Sequence, residues 1–172
     1  MVKKFNSKKH NLSSDITTKL LIDSKNNLWI GTNNSLLKYD TARRRFTNIR
    51  FTKEQKNQIE GKTITALRID SEENLWIGTY NDGIYRFNEA QKTLQYFSLA
   101  KVQDINNANF ILSIYSDSKN NVWIGTYGGG VNLFDIKNEK FKHFDKANAS
   151  EFGFRDSMVT QIFEDLDDLL WI

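Results

Sequence analysis

Apolar residues along this chain fall into short runs separated by clusters of Asn, Asp, Gly and Ser. In the most regular stretch the runs cover residues 64–69, 75–80, 84–87 and 94–97. Runs of this length between turn-forming residues predict β-strands, here named a to d in chain order. Strand b is almost continuously apolar, which is typical of a sheet covered on both faces. No segment has a convincing helical period, so we expect a low helix content.

The four-run pattern repeats every 47 or 48 residues. Each copy centres on a tryptophan flanked by aliphatic residues, at Trp29, Trp76, Trp123 and Trp171. An aspartate stands six residues before each tryptophan, at Asp23, Asp70, Asp117 and Asp165. A four-stranded unit with this period and two apolar faces predicts an all-β fold of four-stranded antiparallel β-propeller blades. The tryptophans would fill the space between neighbouring sheets, so we expect Trp76 and Trp123 to be almost fully buried.

The repeats predict blades over residues 16–49, 63–97, 110–144 and 158–172, the last one truncated. Residues 1–6 match the spacing of a strand d and are predicted to be the outer strand of a preceding blade. This amounts to about three and a half repeats, whereas a propeller closes with about four to eight blades. We therefore expect an incomplete propeller, which is a fragment or closes by self-association or with the remaining blades of a larger protein.

Composition excludes several classes of protein. The net charge is +3 and the basic runs are scattered, so no nucleic-acid partner is predicted. There is no cysteine, hence no disulfide framework and no thiolate metal site. No apolar run approaches the roughly 18 residues of a membrane span, and the basic start lacks the apolar core of a signal peptide. No membrane contact is expected for this segment.

The sequence also resembles a known family. "NLWIGT" at 74–79, followed by "GIYRFN" and preceded by "ITALRID", resembles the two-component regulator propeller repeat. The first copy departs from it, with "NNSLL" in place of "NDGIY" and one residue fewer. The resemblance implies a periplasmic sensor domain of a hybrid two-component system, whose full-length members carry histidine kinase activity. It also implies a ligand-sensing role, with a glycan or oligosaccharide as the expected ligand.

Alternating strand directions predict that the b–c turns and the d–a links share one rim of the blades. The links are long, at residues 50–63, 98–110 and 145–158, and long loops on a rigid scaffold tend to carry binding sites. The candidate ligand-binding residues on this rim are Asn33, Asn34, Tyr80, Asn81, Asp82 and Tyr127. Tyrosine and amide groups can stack on and hydrogen-bond a glycan. The alternative is that Tyr80 and Tyr127 only pack the rim.

No catalytic residues, metal site or cofactor are predicted, so the chain is not expected to be an enzyme. His10 and His143 lie at unrelated points of the repeat. "EDLDD" at 164–168 aligns with the a–b turns, and "GTYGGG" lacks the lysine and helix of a phosphate loop. Two alternatives to a sensor stay open: a propeller enzyme such as a polysaccharide or antibiotic lyase, and a protein-interaction scaffold.

Overall fold

The computed structural model describes residues 12, 14–47, 49, 51–99, 109–136, 138–145 and 157–172. The predicted outer strand at residues 1–6 and His10 lie outside the described residues. The described strands are β1 (Thr17–Ile22), β2 (Asn27–Thr32), β3 (Leu36–Asp40), β4 (Arg45–Thr47), β5 (Ile64–Ile69), β6 (Leu75–Thr79), β7 (Ile84–Asn88), β8 (Thr93–Phe97), β9 (Ile111–Ser116), β10 (Val122–Thr126), β11 (Val131–Asp135), β12 (Lys140–Phe144), β13 (Phe163–Glu164) and β14 (Leu170–Trp171). A short helix, α1 (Lys53–Ile59), follows β4.

The strands pair in sequence order, as the blade pattern predicts. Three four-stranded sheets form from β1–β4, β5–β8 and β9–β12, and β13 pairs with β14. The all-β prediction is therefore confirmed. The chain divides into two compact units, Met1–Ile64 and Thr65–Ile172. The first contains the β1–β4 sheet and α1, and the second contains the other sheets apart from the first residue of β5.

A recurring hydrogen-bonded cluster closes every a–b turn. The carboxylate of the repeated aspartate accepts a hydrogen bond from the indole nitrogen of the repeated tryptophan: Asp23 from Trp29 at 3.0 Å, Asp70 from Trp76 at 2.8 Å, Asp117 from Trp123 at 2.8 Å and Asp165 from Trp171 at 2.6 Å. In the second repeat the same carboxylate accepts the backbone N–H groups of Glu72 and Asn74. The aspartate thus joins the turn to strand b, which explains the fixed spacing of six residues.

These contacts shift the acidity of the aspartates. Burial by itself raises the pKa of Asp117, but hydrogen bonds from Trp123 and Asn121 outweigh it and lower the pKa from its ordinary 3.8. Asp23 follows the same balance, with burial opposed chiefly by Asn27, and its pKa is also lowered. The pKa of Asp165 is lowered by the Trp171 hydrogen bond first, with the Leu169 backbone adding to it.

Each a–b turn also contains one residue in the left-handed backbone region. The residues are Asn26, Glu73, Asn120 and Asp168, with φ between 58° and 69°. Asn and Asp tolerate this conformation better than other non-glycine residues. Three of the four turns therefore use a suitable residue, and Glu73 is the exception.

The second and third sheets pack face to face within the second unit. Trp76 is fully buried there, with its ring 6.0 Å from Phe97 and 5.0 Å from Phe134 between centroids. A Cβ on Gly78 would lie 2.5 Å from the Ile111 side chain of the next sheet. Gly78 therefore permits the close approach of the third sheet to the second.

One expectation about burial needs correction. Trp123 is only partly buried, because it packs against the small cluster of Val131, Val159 and Ile162 beside the two-stranded β13–β14 sheet. The helix content is low, as expected, and the helix that the structure describes, α1, lies in the first d–a link. Thr52 and Gln55 form a capping box at the start of this helix, and Ile59 anchors it with 2% exposure.

Candidate ligand-binding rim

Backbone hydrogen bonds join the b–c turns to the d–a links, as the strand directions predict. In the first unit the Gly61 N–H donates to the Asn34 carbonyl at 2.7 Å. In the second unit Gly83 donates to Asn109 at 3.0 Å and Gly130 donates to Ser157 at 2.8 Å. Each unit therefore has a rim made of turns and links held together by main-chain contacts.

The threonine of each Gly-Thr pair shapes the b–c turn. The Thr79 hydroxyl and N–H both donate to the Gly83 carbonyl, at 2.7 and 3.1 Å. Gly83 has a φ of +78°, and a Cβ there would lie 2.6 Å from the Phe97 carbonyl oxygen. In the shorter first turn the Thr32 hydroxyl donates to Ser35, three residues on. These hydrogen bonds fix the conformation of the turn, and the residue after the threonine lies on the rim.

Three aromatic rings contact one another in a row on the rim of the second unit. The Tyr80 and Phe110 centroids are 4.1 Å apart with an edge-to-face geometry, and Phe110 stacks on Tyr127 at 5.3 Å. Tyr80 is 55% exposed and Tyr127 is 47% exposed. Tyr127 also forms an isolated β-bridge with Met158, which is 46% exposed. We call Tyr80, Phe110 and Tyr127 the aromatic ladder.

Asn81 and Asp82 have different surroundings from the tyrosine beside them. Asn81 is exposed and lies in the left-handed region with a φ of 67°. Asp82 is half-buried and close to Tyr85 of β7. Burial, together with the Asp82 and Tyr96 side chains, raises the pKa of Tyr85 to about 12. Asp82 thus lies in the b–c turn, close enough to β7 to influence the Tyr85 hydroxyl.

Asn33 and Asn34 lie on the rim of the first unit, and both are exposed. The Asn33 side chain accepts a hydrogen bond from the Ser14 hydroxyl at 2.5 Å. The Asn33 backbone carbonyl accepts one from the Thr63 hydroxyl at 3.0 Å. Asn34 lines a cavity beneath α1. These two candidates therefore belong to a separate local environment from the aromatic ladder.

Sequence reasoning missed Phe110 as a rim residue. It occupies the position just before strand a, where the second repeat has Thr63 and the fourth has Met158. In every case this residue contacts the residue that follows Gly-Thr. No apolar period marks the position, because its character changes from repeat to repeat. Only the contact between turn and link reveals it.

The described part of the chain contains one histidine and no metal-binding cluster of side chains. His143 lies in β12, and its side chain is held by Asp145 at 3.1 Å. In the described part of the chain, no three His, Cys, Asp or Glu side chains are placed to hold a metal ion. The described helix is also too short and polar to cross a membrane.

Comparison with solved structures places this architecture among β-propellers. The extracellular domain of BT4673, described as a hybrid two component system of B. thetaiotaomicron, matches with a TM-score of 0.74 and 18% identity, over 97% of this chain and 21% of that one. The extracellular domain of BT3049, from the same organism, matches with a TM-score of 0.71 and 21% identity, over 93% of this chain and 19% of that one. Virginiamycin B lyase of Staphylococcus aureus matches with a TM-score of 0.67 and 16% identity, over 93% of this chain and 50% of that one. The chain thus spans about a fifth of the first two proteins, and such identities establish the fold.

Three of the repeats match a known family. Residues 11–34, 58–81 and 106–128 each match the family described as two component regulator propeller. Three segments of the chain therefore match the repeat of this family, which confirms the resemblance drawn from its sequence. Among curated proteins there is no match.

Proposed function

We propose that this chain is a ligand-sensing part of a two-component signalling receptor and that its ligand is an oligosaccharide. The aromatic ladder is the observation that carries the proposal. Tyr80 and Tyr127 are each about half exposed to solvent. Phe110 lies between them, contacts both rings and fixes their spacing. A row of fixed aromatic faces suits the apolar faces of successive sugar rings.

The polar groups near the ladder complement such a ligand. Asn81 is exposed beside Tyr80, and the tyrosine hydroxyl groups can both donate and accept hydrogen bonds. Ligand sites generally combine apolar and aromatic surface with a few polar groups that set orientation. The turns and links are tied by backbone hydrogen bonds, so the surface is formed before binding and loses little conformational entropy.

We propose that the chain binds without catalysing a reaction. The candidates on the two rims are amides and tyrosines with a single carboxylate, Asp82, and the described histidine is engaged by Asp145. A lyase is the second candidate, because the fold is shared with virginiamycin B lyase. A protein-interaction scaffold is the third, and the absence of any glycan binding would favour it.

The cellular setting is part of the same proposal. Two of the similar structures are extracellular domains of proteins described as hybrid two component systems. By analogy, we place this propeller on the periplasmic side of a receptor whose full-length form has histidine kinase activity. The remaining blades of that receptor are its expected structural partners.

Glycan-array screening of the purified chain, followed by calorimetric titration of the best oligosaccharide, tests the function. Tyr80→Ala and Tyr127→Ala should each weaken binding, by about 1–3 kcal/mol for the loss of one large apolar contact. Tyr96→Ala is the matched control, because Tyr96 is 49% exposed on the outer strand β8 and lies outside the ladder.

Three results would argue against a glycan sensor. The array can give no binding, or Tyr96→Ala can weaken binding as much as the ladder variants do. Chromatography of the titrated oligosaccharide can also reveal cleavage products that a single tyrosine substitution abolishes, which would establish a lyase instead.

A further inference from the structure

We propose that the first unit carries a separate small-molecule site, a pocket beneath α1 that binds a neutral ring-shaped molecule bearing hydroxyl groups. The cavity has a volume of about 690 Å³. This is within the range of about 300–1,000 Å³ found for small-molecule sites. It lies between the first b–c turn, strands β3 and β4, and the link that contains α1.

The walls of the α1 pocket combine apolar and hydrogen-bonding groups. Leu37, Ile49 and Phe51 supply apolar surface, and Phe51 adds an aromatic ring. Asn34 and Thr47 bring an amide and a hydroxyl group to the same cavity. A ligand with one apolar face and a hydrogen-bonding edge can satisfy both kinds of wall.

The charges at the α1 pocket favour a neutral ligand. Lys56 and Glu60, one helical turn apart, are the charged residues that line it. The Lys56 ammonium lies 3.1 Å from the Glu60 carboxylate. Because the two charges offset each other, the pocket has no net charge with which to recruit an anion or a cation.

Fixed contacts hold α1 over the cavity. The capping box of Thr52 and Gln55 closes its first turn, and Ile59 is buried near its end. Immediately after the helix, the Gly61 N–H donates to the carbonyl of Asn34, which itself lines the pocket. The pocket is therefore pre-formed by local structure rather than left by a loose loop.

The second repeat treats the corresponding position differently. Phe51 aligns with Leu99, because both stand two residues after the last apolar residue of strand d. Leu99 is fully buried in the core of the second unit, whereas Phe51 is only partly buried and lines the cavity. The first repeat thus leaves an aromatic side chain at a cavity where the second uses an aliphatic one for packing.

Ligand-observed NMR and calorimetry with neutral methyl glycosides test the α1 pocket. The probes are the methyl β-pyranosides of glucose, galactose and xylose, with glucuronate and glucosamine as charged counterparts. We expect saturable binding of at least one neutral probe, weakened about tenfold or more in Phe51→Ala. Because that variant can disturb folding, Asn34→Ala is the second test: its side chain is exposed, and binding should weaken there too.

Two controls separate this pocket from the aromatic ladder. Lys53→Ala changes an exposed helix residue that does not line the cavity, and Tyr127→Ala removes part of the ladder. Neither should alter binding of the single-ring probes. The proposal is overturned if no neutral probe binds, if Phe51→Ala and Asn34→Ala both bind normally, if the charged rings bind more tightly, or if Tyr127→Ala abolishes binding. Loss of oligosaccharide binding in Tyr127→Ala would not affect it.

Discussion

The Asp70 carboxylate accepts a hydrogen bond from the Trp76 indole nitrogen at 2.8 Å, and the exposed fractions of the two residues are 5% and 0%. The same pair recurs at Asp165 and Trp171, where the tryptophan is 55% exposed. One chain thus contains the same interaction in a buried and in an exposed form. This makes the energetic role of the cluster directly measurable.

Asp70→Ala should destabilise the protein by about 3 kcal/mol or more, because it leaves several buried donors without an acceptor. These donors are the Trp76 indole N–H and the backbone N–H and side-chain amide of Asn74. Asp165→Ala is the matched control, and it should cost less than about 1 kcal/mol because water can replace the lost acceptor. Urea unfolding followed by circular dichroism gives both values. Equal losses in the two variants would contradict a role that depends on burial.

Much of this fold could be predicted from the sequence, because the aspartate, tryptophan and Gly-Thr columns each repeat a single structural role. Helix α1 could not be predicted, because its residues have no apolar period and Ile59 is the only buried one among them. The partial exposure of Trp123 also escaped prediction. A residue that recurs at the same position in every repeat is expected to pack against the neighbouring sheet. Its recurrence does not show how large that sheet is.

The candidate site was predictable only in part. The strand order placed Tyr80 and Tyr127 on a shared rim, but the central ring of the ladder, Phe110, comes from a position that varies between repeats. The cavity at Asn34 depends on α1 and was equally absent from the pattern. Features that arise from one particular link therefore need coordinates, whereas features of every repeat do not.

Glu73→Asn should stabilise the protein by about 0.5–1 kcal/mol, because Glu73 has a φ of 62° and Asn tolerates the left-handed region better. The reverse change at the equivalent position, Asn120→Glu, should destabilise it by a similar amount, since Asn120 has a φ of 69°. Chemical denaturation of the two variants provides the comparison. Opposite signs are expected, and a stabilising Asn120→Glu would refute the backbone argument.

Acid should weaken the a–b turns. The pKa of Asp117 is lower in the folded chain than its ordinary 3.8, as hydrogen bonds from Trp123 and Asn121 exceed the effect of burial. The unfolded chain therefore binds this proton more readily, and the stabilisation is present above pH 3.8 and lost as the pH falls through the folded pKa. Asp117→Asn should reduce the slope of unfolding free energy against pH in that interval. An unchanged slope would show that Asp117 does not contribute to it.

Exposed apolar side chains at both units predict self-association. In β1, Leu20 and Ile22 are each 62% exposed, and in the last described sheet Trp171 is 55% exposed. The position of Leu20 corresponds to Ile114 of β9, which is 9% exposed within the second unit. The β1 face around Leu20 is thus exposed where the equivalent position in β9 is buried, and apolar patches on soluble proteins generally mark contact sites.

We expect light scattering of the 20.1 kDa chain to give a mass above the monomer that rises with concentration. Leu20→Glu should shift the distribution toward the monomer, because burying the new carboxylate would oppose association. Lys25→Glu is the control: Lys25 is exposed in the a–b turn, so it changes charge without removing apolar surface. A compact monomer at all concentrations would contradict the prediction, as would an equal response to Lys25→Glu, which would attribute association to charge rather than to the apolar face of β1.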